Sequence, residues 1–155
     1  MAEAKPTGYL PGDPRHGLQG EALKNYYRQK PAQWAIYCWD KEGSAQARRA
    51  LQAEQNSYVA GFGERVIGYG HFVSDDGGET LGTSFFMQLD DRQAADKFVA
   101  DEPMNKAGLY RHVHIHRWSN SFGKRAADYK RKGLQQFLCT GPKTAPPELY
   151  REQLH

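Results

Sequence analysis

An unbroken aromatic and aliphatic run, Gln33-Trp-Ala-Ile-Tyr-Cys-Trp39, closes on Asp40-Lys-Glu-Gly43 and predicts a buried strand followed by a turn. Ser44 then offers a hydroxyl cap to a helix whose apolar positions Ala47, Ala50, Leu51, Tyr58 and Phe62 recur at helical spacing. Arg48, Arg49, Gln52 and Glu54 fall mainly between them, and Gly61 and Gly63 end the helix. Two glycines interrupt the next extended segment, Arg65 to Val73, and mark a bulge or a close approach by another group. The Asp75-Asp-Gly-Gly78 turn joins it to Leu81–Leu89, which makes a hairpin. Asp90 or Asp91 caps a second helix, with Gln93 in capping-box position relative to Asp90 and Ala94, Ala95, Phe98 and Val99 as its apolar stripe; Pro103 stops it. The last strand, Tyr110 to Trp118, alternates so that Val113 and Ile115 share one face and His112, His114 and His116 the other. The order β-α-β-β-α-β is the split pattern of ferredoxin-like α+β folds, with two helices over one sheet face and the other face bare. A bare face rich in Trp, Tyr and His is better covered, and pairing two sheets in a symmetric dimer is the simplest cover.

The pattern fades at both ends. Residues 1–32 are broken by prolines and glycines around a short helix near Gly20–Arg28 and read as an arm, residues 33–118 form the domain, and residues 119–155 are a partly helical extension. In that extension Lys124, Arg125, Lys130, Arg131 and Lys132 face water over Ala126, Tyr129, Phe137 and Leu138, and Glu148 to Leu154 make a last short helix. With 155 residues and 39% hydrophobic side chains, one domain with a real core is the natural solution, and the extensions account for a mean hydropathy of −0.83. A formal charge of +3 falls well short of what makes nucleic acid the default partner. No apolar run flanked by basic residues opens the chain, so the expectation is a soluble, cytoplasmic protein without a membrane span. Cys38 and Cys139 have no metal-binding spacing and are expected to pack as small hydrophobes with free thiols.

Proton transfer near neutral pH needs a group that titrates there, which histidine does unaided and a carboxylate does when enclosed beside another acid. His71, Asp101, Glu102, His112 and His114 are therefore the candidate acids and bases. Two of His112, His114 and His116 could share a metal ion, but a third protein ligand is not evident from spacing, and no metal is assigned. Tyr37, Tyr69 and Tyr110 are candidates to stack on a flat substrate ring, with Trp39 beside them. Arg49, and with it Arg111, suits a carboxylate or phenolate. No glycine-rich phosphate loop or axial-ligand context is present, so no cofactor is expected.

Residues 33–118 resemble a YciI-like domain of the dimeric α+β barrel superfamily. The resemblance rests on Trp34-Ala-Ile-Tyr-Cys-Trp39 with Asp40-Lys41, Arg65-Val-Ile-Gly-Tyr-Gly70, Phe98-Val-Ala-Asp-Glu-Pro-Met-Asn-Lys-Ala-Gly-Leu109 and Val113-His-Ile-His-Arg-Trp118. It implies a ferredoxin-like protomer, a homodimer or higher homo-oligomer, and an active site built on a histidine-aspartate dyad. Two departures stand out: the first core helix has no histidine in Arg49-Ala-Leu-Gln-Ala-Glu54, and the acid directly before Pro103 is Glu102, with Asp101 one residue earlier. The expected function is a small cofactor-independent enzyme, a lyase, isomerase or dehydrochlorinase, using histidine-carboxylate chemistry on a small cyclic or aromatic metabolite. The alternative is a non-catalytic dimer that binds a small molecule, or an accessory subunit, that has lost the dyad histidine.

Overall fold

The computed structural model describes residue 9, residues 11–120, residues 125–126 and residues 138–139. The chain divides into two compact units, residues 31–130 and a smaller one made of residues 1–30 with residues 131–155. In the smaller unit α1 (Gly20–Arg28) forms where the sequence predicts it, and Arg15 is buried between Asp13, the Tyr27 hydroxyl and the face of Tyr9. The helices expected over Lys124–Leu138 and Glu148–Leu154 lie outside the described residues, apart from Arg125, Ala126 and Leu138. Cys139 is a free thiol but exposed, as is Leu138, which corrects the expectation of packing: an apolar run is buried only where a surface receives it. No helix among the described residues is long and apolar enough to cross a membrane.

The larger unit carries β1 (Gln33–Asp40), α2 (Ala45–Ala60), β2 (Val66–Val73), β3 (Thr80–Gln88), α3 (Arg92–Asp101), α4 (Pro103–Lys106) and β4 (Tyr110–Trp118). Its sheet is antiparallel in the order β2-β3-β1-β4, so the hairpin formed by β2 and β3 lies to one side of β1 and β4 to the other. This is the α+β, ferredoxin-like arrangement that the element order predicts. Ile36, Phe85, Met87, Ala95, Phe98 and Met104 fill the space between the sheet and the helices with no more than 2% of any of them exposed. Burying these side chains supplies the main driving force for closing the helices onto the sheet. On the other face Tyr37 lies opposite His114, Trp39 opposite His112 and Ala35 opposite His116, flanked by Phe72, Phe86 and Trp118.

Local details depart from the sequence reading where backbone geometry decides. Ser44 adopts helical angles and makes no side-chain cap, because a capping hydroxyl requires an extended residue. Asp91 is extended and caps α3, accepting a hydrogen bond from the Ala94 amide at 2.7 Å, so the box expected between Asp90 and Gln93 does not form. Gly61 ends α2 in ordinary helical geometry, and only Gly63 takes a positive φ. The apolar stripe of α2 is rotated from its expected place: Ala47 and Ala50 are exposed, while Arg48, Gln55 and Val59 are buried.

Candidate active site

Arg48 lies in the first turns of α2, and the helix aims its guanidinium inward at Asp40, the last residue of β1. Nε and Nη2 each donate to one carboxylate oxygen of Asp40 at 2.6 Å, with both side chains at most 5% exposed. Burial is the largest single influence and works against the Arg48 charge, but the hydrogen bonds and charge of Asp40, with Tyr110, together outweigh it and the pKa is raised. Nη1 donates to Thr83 Oγ1 at 3.0 Å and faces His71 Nδ1 at 3.4 Å. A guanidinium only donates, so Nδ1 is the accepting nitrogen and the neutral ring is assigned its proton on Nε2.

Partial burial of the ring, and then the Arg48 charge, push the His71 pKa below the ordinary 6.5, against a smaller pull from Asp40. An NMR titration of the His71 ring should therefore show a midpoint below 6.5. Because the unfolded chain takes up the proton more readily, the associated stability is present above pH 6.5 and is lost as pH falls below it. A midpoint at or above 6.5 would contradict the partial burial of the ring beside the Arg48 charge.

Seven residues further along α2, Gln55 occupies a second polar position in the core. Its amide nitrogen donates to Glu102 Oε1 at 2.7 Å and to the Tyr110 hydroxyl at 3.1 Å. Its carbonyl oxygen accepts from the Tyr69 hydroxyl at 2.8 Å and from Gln52 at 3.4 Å, so all four hydrogen-bonding positions are filled. Glu102 is 1% exposed, and its other oxygen accepts the Asn105 amide at 2.7 Å, which caps α4 behind Pro103. Burial strongly raises the Tyr110 pKa, helped by Cys38 and Glu102, and also raises that of Tyr69.

A cleft of about 960 Å³ opens beside this polar core. Its walls are the 40–45 turn, the first turns of α2 with Arg48, Arg49 and Gln52, the 78–81 hairpin turn, Trp39 and Arg111. Arg111 reaches it from a bulge: β4 pairs Trp39 with His112 but Asp40 with Tyr110, leaving Arg111 as the extra residue.

Residues 32–119, more than half of the chain, match the YCII-related domain. The chain belongs to the YCII-related domain family. Among solved structures, a 5-chloro-2-hydroxyhydroquinone dehydrochlorinase from Burkholderia phenoliruptrix AC1100, in complex with 2,5-dihydroxybenzoquinone, is similar with a TM-score of 0.54 at 23% identity, covering 59% of this chain and 98% of that one. A conserved protein from Methanosarcina mazei Go1 is similar with a TM-score of 0.41 at 14% identity over 61% and 99%. At 23% identity, what the chain shares with the dehydrochlorinase is the fold. No curated protein matches the chain.

Within the YCII-related domain the expected site residues divide among separate surroundings. His71, Tyr69, Tyr110 and Glu102 lie on the helix side of the sheet, joined through Arg48, Thr83 and Gln55. Tyr37, His112 and His114 lie on the opposite face, so neither histidine of β4 pairs with Glu102; the sheet stands between them. Asp101 and Glu102 are not enclosed together. Asp101 turns to water, 2.6 Å from Lys97, and that hydrogen bond lowers its pKa. Arg49 is exposed and lines the cleft, whereas His71 does not line it. The three imidazoles of β4 stand in a row with ring centres 6.1 and 6.3 Å apart. Among the described residues no group of three His, Cys, Asp or Glu is arranged to hold a metal.

Sequence reasoning missed Asp40, Thr83, Arg48 and Gln55. The last two carried a readable signal. Counting back from Val59 by helical steps gives Gln55, Gln52, Leu51 and Arg48 on one face, so three polar residues stand in a core stripe, and Gln55 and Arg48 are the buried ones. Such residues require partners, and Asp40 and Glu102 provide them.

Proposed function

We propose that this chain is a small cofactor-independent enzyme of lyase or isomerase type, acting on a small cyclic or aromatic metabolite at the Arg48–His71 end of the polar core. The observation that carries this reading is the contact between Arg48 Nη1 and His71 Nδ1. It fixes a neutral ring that offers Nε2–H as a donor, and such a donor stabilises an oxygen on which negative charge develops. His71 is then an electrophile rather than the base that an ordinary histidine pKa suggests. Such a donor suits a step in which charge builds on a substrate carbonyl oxygen while the adjacent C–H bond breaks and its proton passes to water, as in enolisation of a cyclic diketone. Arg48 and Asp40 are positioning residues, and Gln55 and Glu102 hold the floor of the site. Pairing of two protomers through the face that carries Tyr37, Phe86 and the β4 histidines completes the proposed homodimer, since that much half-exposed aromatic surface favours a cover.

The chlorinated hydroquinone named for the Burkholderia protein, together with cyclic diketones, makes a first substrate panel. His71→Gln is expected to lower kcat about 100-fold or more with KM little changed, in line with the loss of one transition-state donor. Turnover of a panel compound that His71→Gln leaves intact would remove the proposal.

Gln55 favours the second reading, a non-catalytic small-molecule-binding dimer. The resemblance calls for a histidine on the first core helix paired with the acid before proline, yet here a glutamine on that helix meets Glu102. An amide neither takes nor gives a proton at neutral pH, so the dyad cannot work as an acid/base couple. Saturable binding of panel compounds without turnover would establish this reading.

A further inference from the structure

The basic side chains of the described residues are almost all occupied. Arg15, Lys24, Arg28, Arg48, Arg92, Lys97, Lys106 and Arg125 are in ion pairs. Lys30, Arg65 and Arg117 lie over the rings of Tyr26, Phe62 and Trp34. Among the described residues this leaves Lys41, Arg49 and Arg111, whose side chains have no ion pair, hydrogen bond or ring contact, and all of them line the same cleft. They come from separate elements: the turn after β1, the first turns of α2, and the bulge of β4. Unpartnered cations brought together from three elements at one concavity repel one another, and an anion relieves that repulsion.

We propose that the cleft binds a ring-bearing small organic carboxylate. For the substrate role this rests on the reading of the Arg48–His71 end as an active site, with Arg48 the residue common to that end and to the cleft. The flat wall is Trp39, which is held by stacking on Phe72 at 4.5 Å between ring centres and 11° between planes, with Leu81 also lining the cleft. Arg49 and Arg111 present planar guanidinium groups that match a carboxylate two oxygens at a time, and Lys41 adds a compact charge. Glu42 and Glu79 line the same cleft and limit the charge it accepts. Three free cations against two carboxylates suit a small anion of low charge; a polyphosphate or a nucleic-acid strand would meet both glutamates. The Asp40–Arg48 pair behind them is internally neutralised and adds orientation rather than net charge.

The test uses the full chain with benzoate as the minimal fragment and benzamide as its uncharged counterpart, followed by calorimetry and tryptophan fluorescence at low ionic strength. Benzoate is expected to bind at least tenfold more tightly than benzamide and to weaken as potassium chloride is added. Arg49→Gln and Arg111→Gln, both at exposed positions, should each weaken benzoate severalfold while leaving benzamide and the circular dichroism spectrum unchanged. Equal binding of the two probes, benzoate binding indifferent to both substitutions, or no saturable benzoate binding would overturn the inference. Inorganic phosphate displacing benzoate at lower concentration than benzoate itself requires would also overturn it, in favour of a ring-free oxyanion site. His71→Gln separates the two readings: benzoate affinity kept while turnover is lost supports both, and turnover of an uncharged compound with no benzoate binding sinks this inference alone.

Discussion

Arg48→Met is expected to destabilise the protein by about 3–5 kcal/mol, the usual cost of removing one partner from a buried ion pair. The methionine fills a similar volume, so the loss is electrostatic. Asp40, 4% exposed, is left with a carboxylate that has lost its two short hydrogen bonds, and Thr83 and His71 lose their shared donor. Urea unfolding at pH 7 should show the loss as a lower midpoint with little change in slope, and the thermal midpoint should fall by about 10 °C or more. The double variant Asp40→Leu with Arg48→Met should recover much of the loss, because apolar pairs replace buried ion pairs without large penalty. If Arg48→Met alone costs less than about 1 kcal/mol, the pair is hydrated in solution and does not hold His71 as a buried ion pair would. Full recovery in the double variant without recovery of turnover would mean that the pair is kept for chemistry and not for stability.

Gln55→Leu carries the second large effect, about 3 kcal/mol or more, since each buried polar group left without a partner costs about 1–3 kcal/mol and a charged one more. The substitution strips one oxygen of Glu102 and removes contacts from the Tyr110 and Tyr69 hydroxyls in a single step. Gln52→Leu is the matched control on the same helix. Gln52 is only half-buried and has Asn56 and Tyr69 as well as Gln55 around its amide, so its loss should cost under about 1 kcal/mol. Equal costs for the two variants, measured by denaturant unfolding, would show that Gln55 is not the hub of the network.

The strands and helices of the larger unit were legible because their apolar residues repeat with the right period, and the resemblance carried by the Phe98–Leu109 and Val113–Trp118 motifs is matched by the family assignment. The face of β4 that bears the histidines was legible for the same reason: Val113 and Ile115 pack against the core while the imidazoles alternate outward. The polar core was not. Assigning Arg48 to a solvated face follows from treating every arginine as a surface residue, a rule that fails where a carboxylate one element away neutralises it. The sorting of Asp101 from Glu102 depends on where α3 stops. Glu102 is extended at the junction with α4, which turns it inward, while Asp101 still belongs to the outer side of its helix near Lys97. Neither fact is written in the residue types alone, since both acids precede the same proline.

The extra residue in β4 also sets a rule for chain length. Beyond Arg111 the strand shows its even-numbered residues to the bare face, yet Tyr110, also even-numbered, lies under the helices with Gln55. Losing Arg111 alone would restore strict alternation with Tyr110, then directly before His112, still on the helix side; what would go is the added side chain that reaches the cleft. A chain that presents a cation there and keeps the phenol inward therefore needs the insertion, so at this point the spacing of the sequence is as constrained as its spelling.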